Sequence, residues 1–346
     1  MSDHPPERPL GIPYLEGFWA RTLAKRSGTA PAGNAARDWA ADNTLLAALG
    51  LNLRETYLYL YHHTPSLQDF ERWILAINGG SIDPARIARL NAALAAEAAE
   101  AADVAAEADG AEPIPEPEGP PALTAADLAF WDRHGYVVLH DAVPPGHAQA
   151  AAQAIYDFLA IDPQQPDTWY GKAHGHSIWV PLLHHPALWA NRNSPRIHRA
   201  FAQLWRRSDL WVNVDQAGFN PPERPGWLFP GPHLHWDVSL VQPIPFGVQG
   251  ILYLTDTAAD QGAFTCVPGF HRLIEDWLHA LPPAADPRAQ DLRALGPVPI
   301  PGRAGDLIIW HHALPHGASP NRATQPRVVQ YLTMRPTHWQ AQPTWR

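Results

Sequence analysis

At 346 residues the chain exceeds what one hydrophobic core usually organises, and 46% apolar against 17% charged residues excludes a mainly disordered polymer. The 25 basic and 34 acidic residues leave a formal net charge of −9, which excludes the general basic field that nucleic acid or an anionic membrane surface requires. Cys266 is the only cysteine, so no intrachain disulfide or multi-cysteine metal site can form.

No run approaches the roughly 20 apolar residues of a membrane span, and Met1–Leu10 lacks an apolar export core. A cytoplasmic protein is expected. In chain order, Asn43 to Ala108 reads as helical. A Leu-rich stretch ends at Gly50, a second helix covers Leu53 to His63, and Ser66 with Asp69 has capping-box spacing ahead of Phe70, Trp73 and Ile74. Asn78-Gly79-Gly80 stops that third helix, and Asp83-Pro84 starts a fourth, Ala-rich one carrying Ile87, Leu90 and Leu94. Tyr57, Tyr59, Tyr61 and Trp73 are expected to be core residues. Residues 1–109 thus form an all-α N-terminal domain. A Pro/Glu-rich linker follows over 110–122, where proline and like charge keep the chain extended. Residues 123–346 make the second domain.

That domain opens with a helix capped at Thr124 and Asp127, a strand at Tyr136-Val137-Val138-Leu139, and a helix over Ala148 to Leu159. Short strands then dominate: Trp211 to Val214, His233 to Leu240, Gly250 to Thr255, Leu307 to Trp310 and Arg327 to Thr333. The expected class is α+β with a β barrel or sandwich.

The densest polar cluster is Pro232-His233-Leu234-His235-Trp236-Asp237. On a strand, a period of two puts His233, His235 and Asp237 on one face and Trp236 on the other. An imidazole and a carboxylate so spaced can bind one metal ion together, and His311, His312 or His316 can supply a third ligand. Around these residues the sequence resembles the phytanoyl-CoA dioxygenase family of iron(II)- and 2-oxoglutarate-dependent oxygenases, over roughly Leu123 to Pro336. The matching features are Phe130-Trp131 with Gly135-Tyr136-Val137-Val138, the pair His235/Asp237, Gly262-Ala263-Phe264 through Val267-Pro268-Gly269-Phe270-His271-Arg272, and Gly305-Asp306-Leu307-Ile308-Ile309 leading to His316-Gly317. The resemblance implies a double-stranded β-helix (jelly-roll, cupin-like) fold, with His235, Asp237 and His316 as iron ligands. It also implies Arg327 as the anchor of the distal carboxylate of 2-oxoglutarate, and dioxygen as the second co-substrate. A guanidinium fork suits that carboxylate.

Two further cofactor-binding candidates are Tyr253, where the family often places an aromatic beside the oxo-acid, and Asn220 in the lead-in to the metal segment. Ala318 departs from the family, which often has a serine there; Ser319 is the neighbouring hydroxyl. A zinc hydrolase of the metallo-β-lactamase type would need a histidine where Val238 stands, and Asp237 argues against a halogenase, which lacks the carboxylate ligand. The expected function is therefore a dioxygenase hydroxylating an aliphatic carbon of a small molecule and releasing succinate and CO2. The competing expectation is a β-helix that holds metal or 2-oxoglutarate without turnover, as a sensor or scaffold. Trp169, Tyr170, Lys172, His174, His176 and Trp179 are a candidate pocket lining or covering loop.

Overall fold

The computed structural model describes residues 10–29, 35–103, 119–171, 177–337, 339–342 and 344–345. Most of the expected linker, the end of the Ala-rich run, and Lys172, His174 and His176 lie outside them. Two compact units emerge: Met1–Ile114 with Asp209–Val214 and Arg335–Pro343, and Pro115–Ser208 with Asp215–Met334 and Thr344–Arg346.

The first unit holds α1 (Pro13–Arg26), α2 (Ala35–Ala48), α3 (Leu53–His63), α4 (Leu67–Ile77) and α5 (Pro84–Asp103). Local chemistry sets several ends. The Asn52 side chain accepts from the Glu55 amide at 3.0 Å to start α3, and Ser66 Oγ accepts from the Asp69 amide at 3.2 Å to start α4. Leu45, Leu49, Leu60, Phe70, Ile74 and Leu90 are buried in one core, against which Tyr57, Tyr59, Tyr61 and Trp73 pack. The sequence reading does not anticipate α1, whose buried side is only Leu15, Phe18 and Thr22, a short stripe with a polar member. Nor is the unit all-α. Trp211, remote in sequence, enters the helical core, donates from Nε1 to Thr337 Oγ1 at 2.9 Å and lies under the Arg89 guanidinium at 3.7 Å. The expectation that everything after the linker belongs to the second domain is thus corrected: the helices bury their exposed apolar side with two segments borrowed from further along the chain.

From Pro115 onward the chain order is α6 (Ala125–His134), β1 (Tyr136–Leu139), α7 (Pro145–Leu159), β2 (Trp179–Val180), α8 (Pro186–Arg192), α9 (Pro195–Trp205), β3 (Leu210–Val212) and β4 (Ala217–Asn220). There follow β5 (Val248–Tyr253), β6 (Phe264–Cys266), α10 (Ile274–Ala280), β7 (Val298–Ile300), β8 (Leu307–His311), β9 (His316–Ala318), β10 (Arg327–Tyr331) and β11 (Met334–Pro336). β3 and β11 pair as a two-stranded ribbon. In the second unit a six-stranded sheet runs β1-β8-β5-β10-β4-β2 and a three-stranded sheet runs β7-β6-β9, with antiparallel pairing throughout. The result is α+β, antiparallel sheets plus helices.

Register decides which side chains meet. Asn220 lies directly across from Arg327, Tyr253 across from Val329, Ile251 across from both Tyr331 and Ile308, and Gln249 across from Trp310. By strand alternation these residues share one face of the large sheet. On the small sheet Cys266 pairs with His316, and Phe264 with Ala318. The two faces meet where the Phe264 and Trp310 rings lie 4.4 Å apart and the Trp310 and His316 rings 5.0 Å apart. The large sheet's other face is covered by α9. At Gly250 a β-carbon would stand 3.1 Å from the Phe201 ring and 2.6 Å from the Leu332 carbonyl oxygen, so only glycine admits that approach.

Candidate metal centre

The segment around His235 is not the strand that its alternation predicts. It makes one isolated bridge to β9, in which the His235 amide donates to the His316 carbonyl at 2.9 Å and the His316 amide returns the bond at 3.0 Å. Pro230 and Pro232 remove ladder donors. The carbonyls of Trp236 and Val238 are instead taken by the Arg288 guanidinium, at 2.7 and 2.6 Å. Side-chain alternation survives locally: Trp236 is buried and donates from Nε1 to the Ala313 carbonyl at 2.9 Å, while His235 and Asp237 turn the other way.

This bridge brings the two histidines together. His316-Gly317 lies on β9 rather than in a turn, and the glycine has a packing reason: a β-carbon there would sit 2.6 Å from the His233 carbonyl oxygen and 2.8 Å from its carbon. The Nε2 atoms of His235 and His316 each lie 3.3 Å from a different oxygen of Asp237. Ligand atoms of all three residues fall within 4.8 Å of one another, the one such cluster among the described residues. His311 and His312 take no part in it. The His311 Nδ1 accepts from the Ala313 amide at 3.0 Å, and the His312 ring bonds the Pro245 carbonyl. The His233 ring is exposed beside Phe229, and it is the His233 backbone that serves the cluster.

Hydrogen bonding fixes the tautomers. His235 Nδ1 lies 2.7 Å from the His233 carbonyl and His316 Nδ1 lies 3.1 Å from the Leu314 carbonyl. A carbonyl can only accept, so Nδ1 carries the proton and Nε2 keeps its lone pair in the neutral ring. Asp237 is half exposed on one side; partial desolvation against the neighbouring groups would push its carboxyl up, but bonds and charge from His235 and His316 hold it well below the usual carboxylate range. His235 is moved upward: burial opposes its charge, and the adjacent Asp237 more than reverses that. Two imidazole lone pairs and a carboxylate therefore converge on one point with a cation's worth of attraction unspent. The donor set fits a divalent metal, and nitrogen and oxygen ligands on one side suit ferrous iron with open positions.

The oxo-acid candidates lie along the same sheet face. Arg327 is fully buried, and none of its three guanidinium nitrogens has a hydrogen-bond partner of good geometry among the described residues. The Tyr331 phenol is its hydrogen-bonding neighbour and the Tyr253 phenol lies within reach of its charge. Across from it, Asn220 donates to the Ser319 carbonyl at 3.2 Å and leaves Oδ1 buried without a partner. The buried guanidinium fits a polyatomic anion, whereas the Asn220 oxygen can only accept and does not suit a carboxylate; a bond from Asn220 to 2-oxoglutarate would have to come from its second amide N–H. The Tyr253 hydroxyl is already engaged, donating to the Ile300 carbonyl at 2.7 Å and accepting from the Phe264 amide at 2.9 Å, which leaves only its ring for a ligand. Ser319 spends its hydroxyl on the Ala263 carbonyl at 3.2 Å, so it does not replace the side chain missing at Ala318.

Sequence reading missed Gln249, Trp310, Tyr331 and Arg288. The first three carry a signal, being polar or aromatic members at alternate positions of strands that place Tyr253 and Arg327 on the inner face. Arg288 carries none, because its partners are backbone carbonyls some 50 residues away.

Fold and site together define a metal-dependent enzyme of the two-histidine, one-carboxylate type, built between antiparallel sheets. The chain belongs to the phytanoyl-CoA dioxygenase (PhyH) family, whose model matches residues 131–329. A Dictyostelium discoideum protein carrying a phytanoyl-CoA dioxygenase name is 20% identical over 259 residues, spanning 60% of this chain and 74% of that one. Among solved structures, the non-haem α-ketoglutarate-dependent carbocyclase SnoK from nogalamycin biosynthesis is 19% identical, with a TM-score of 0.46 over 65% of this chain and 90% of its own. HygX from Streptomyces hygroscopicus, solved with nickel and 2-oxoglutarate bound, is 18% identical, with a TM-score of 0.44 over 63% of this chain and 88% of its own. Family and ligand set make iron(II) the cofactor and 2-oxoglutarate and dioxygen the co-substrates of this chain. It is an iron- and 2-oxoglutarate-dependent oxygenase or a related enzyme of that family. No helix among the described residues is long and apolar enough to cross a membrane.

Proposed function

We propose that this enzyme hydroxylates an aliphatic carbon of a small-molecule metabolite in the cytoplasm. His235, Asp237 and His316 would hold the iron and Arg327 the distal carboxylate of 2-oxoglutarate. The observation that carries this reading is the presence, in the same unit, of three converging metal-competent side chains and a buried guanidinium with no well-aligned hydrogen bond among the described residues. Asn220 and the ring of Tyr253 complete the oxo-acid side, and the two sheets around them are read as the double-stranded β-helix. Bound iron supplies the oxidising chemistry, in which 2-oxoglutarate, dioxygen and a C–H bond give succinate, CO2 and an alcohol.

The residues of the chain orient and exclude. The carbonyls of His233 and Leu314 keep both Nε2 lone pairs available. Arg288 holds the backbone on both sides of Asp237. His316 is buried, while the Asp237 side chain is half exposed, and the substrate is read as approaching from that more open side. A carboxylate at 237 occupies the place a halide would need, which supports hydroxylation over halogenation.

Replacing His235 or Asp237 by alanine should abolish tight iron binding and succinate release together. With the substrate under labelled dioxygen, one labelled atom should enter the product and the other succinate. A product lighter by two hydrogens, or an iron-binding Asp237→Ala variant with full turnover, would refute the reading.

A further inference from the structure

We propose that Gln249 is a positioning residue that restricts Asp237 to one ligating oxygen. The inference rests on the metal-centre reading above and concerns a residue outside the ligand set. Gln249 projects from β5 on the inner face, directly across from Trp310, whose ring packs on His316 at 5.0 Å. Its Nε2 lies 2.9 Å from Asp237 Oδ2. A carboxylate that ligates a metal offers only acceptors, so the amide must present its N–H to Oδ2, and the flipped orientation would set two acceptors against each other. Gln249 Oε1 is left buried with no partner. A half-satisfied amide in a central strand is an unfavourable choice on packing grounds, where a β-branched apolar residue would serve better. What the amide returns is the bond to Asp237.

The carboxylate torsion of aspartate is broad and two-fold, so an unrestrained Asp237 can offer a metal either oxygen or both. Arg288 fixes the backbone at Trp236 and Val238, and among the described residues the only other contacts of the head group are with the two imidazoles that would share the metal, each 3.3 Å from one oxygen. Gln249 supplies a restraint from outside the ligand set by occupying a lone pair of Oδ2, the oxygen that also lies 3.3 Å from His316 Nε2. Oδ1 remains directed toward the His235 side, 3.3 Å from Nε2. The consequence is one of coordination number. An octahedral ion with three protein ligands keeps about three further positions, enough for a chelating oxo-acid and dioxygen. A second oxygen from Asp237 would take one of them.

The test uses Co(II) as a spectroscopic probe on the full chain. Q249M removes the donor at nearly constant volume, while Q249L and Q249N guard against loss of fold in any one variant, checked by thermal unfolding. Each is expected to weaken Co(II) binding by about ten- to a hundredfold and to alter the visible d–d spectrum, which reports coordination and not folding. A folded Q249M that binds Co(II) with wild-type affinity and an unchanged spectrum would overturn the role of Gln249 and leave the metal centre standing. A wild-type protein that binds no Co(II) at all would overturn the metal-centre reading, and this inference with it.

Discussion

Arg327→Met should have two effects of opposite sign. The guanidinium is fully buried and has no hydrogen-bond partner of good geometry among the described residues, so the ligand-free protein carries an uncompensated cation in its interior. Such a charge costs several kcal/mol, and an apolar residue of similar volume recovers roughly 1–4 kcal/mol of it. In a unit of this size each kcal/mol is worth about 2–4 °C, so the ligand-free variant should unfold roughly 2–16 °C above wild type. With 2-oxoglutarate the order reverses. Removing one partner of a buried charge-assisted pair costs about 3–5 kcal/mol, a weakening of roughly two to three and a half orders of magnitude. Wild type should therefore gain about 2.7 kcal/mol at a hundredfold excess of 2-oxoglutarate over its dissociation constant, while the variant gains almost nothing. Differential scanning fluorimetry with and without 2-oxoglutarate, on the protein loaded with a redox-inert metal, measures both effects. A variant that unfolds earlier than wild type yet keeps its 2-oxoglutarate response would show that Arg327 is a structural residue and that the anchor lies elsewhere.

Other expectations follow from single contacts. Gly317→Ala forces a β-carbon to within 2.6 Å of the His233 carbonyl oxygen, so it should cost about 1–3 kcal/mol and lower metal affinity; an alanine variant with unchanged stability and Co(II) binding would contradict the packing argument. Burial, followed by the charges of His312 and His271, pulls the His311 pKa down to about 3. The unfolded chain, with an ordinary value of roughly 6.5, therefore takes up this proton first as pH falls. Stability from His311 is full above about pH 6.5 and is lost progressively toward pH 3, amounting to about 2 kcal/mol by pH 5. Denaturant unfolding at pH 7 and pH 5 should show that slope in wild type and a shallower one in His311→Leu; equal slopes would refute it. Trp211→Ala removes a buried indole from the helical core and should cost about 3–5 kcal/mol. Limited proteolysis within α1 to α5 would then accelerate, and unchanged cleavage would show that the borrowed segments do not stabilise the helices.

By itself the sequence determined the local features: the caps at Asn52, Ser66 and Thr124, the strands at Tyr136 and Leu307, and the pairing of His235 with Asp237. Each depends on residues within a few positions of one another, so backbone geometry alone relates them. His316 among three candidate histidines, and Arg327, came from the resemblance to the family rather than from spacing alone. Tertiary structure decided what depends on partners distant in sequence. The segment at His235 is a single bridge because prolines and the Arg288 guanidinium replace its ladder. The hydroxyl of Tyr253 is spent on the backbone because β6 and β7 pass beside it. Helices of modest amphipathicity enlist Trp211 because burial, which is not directional, accepts apolar surface from anywhere in the chain. Gln249 reaches Asp237 only because the register of β5 with β8 and the bridge from His235 to β9 bring two segments together, and no spacing along the chain encodes that meeting.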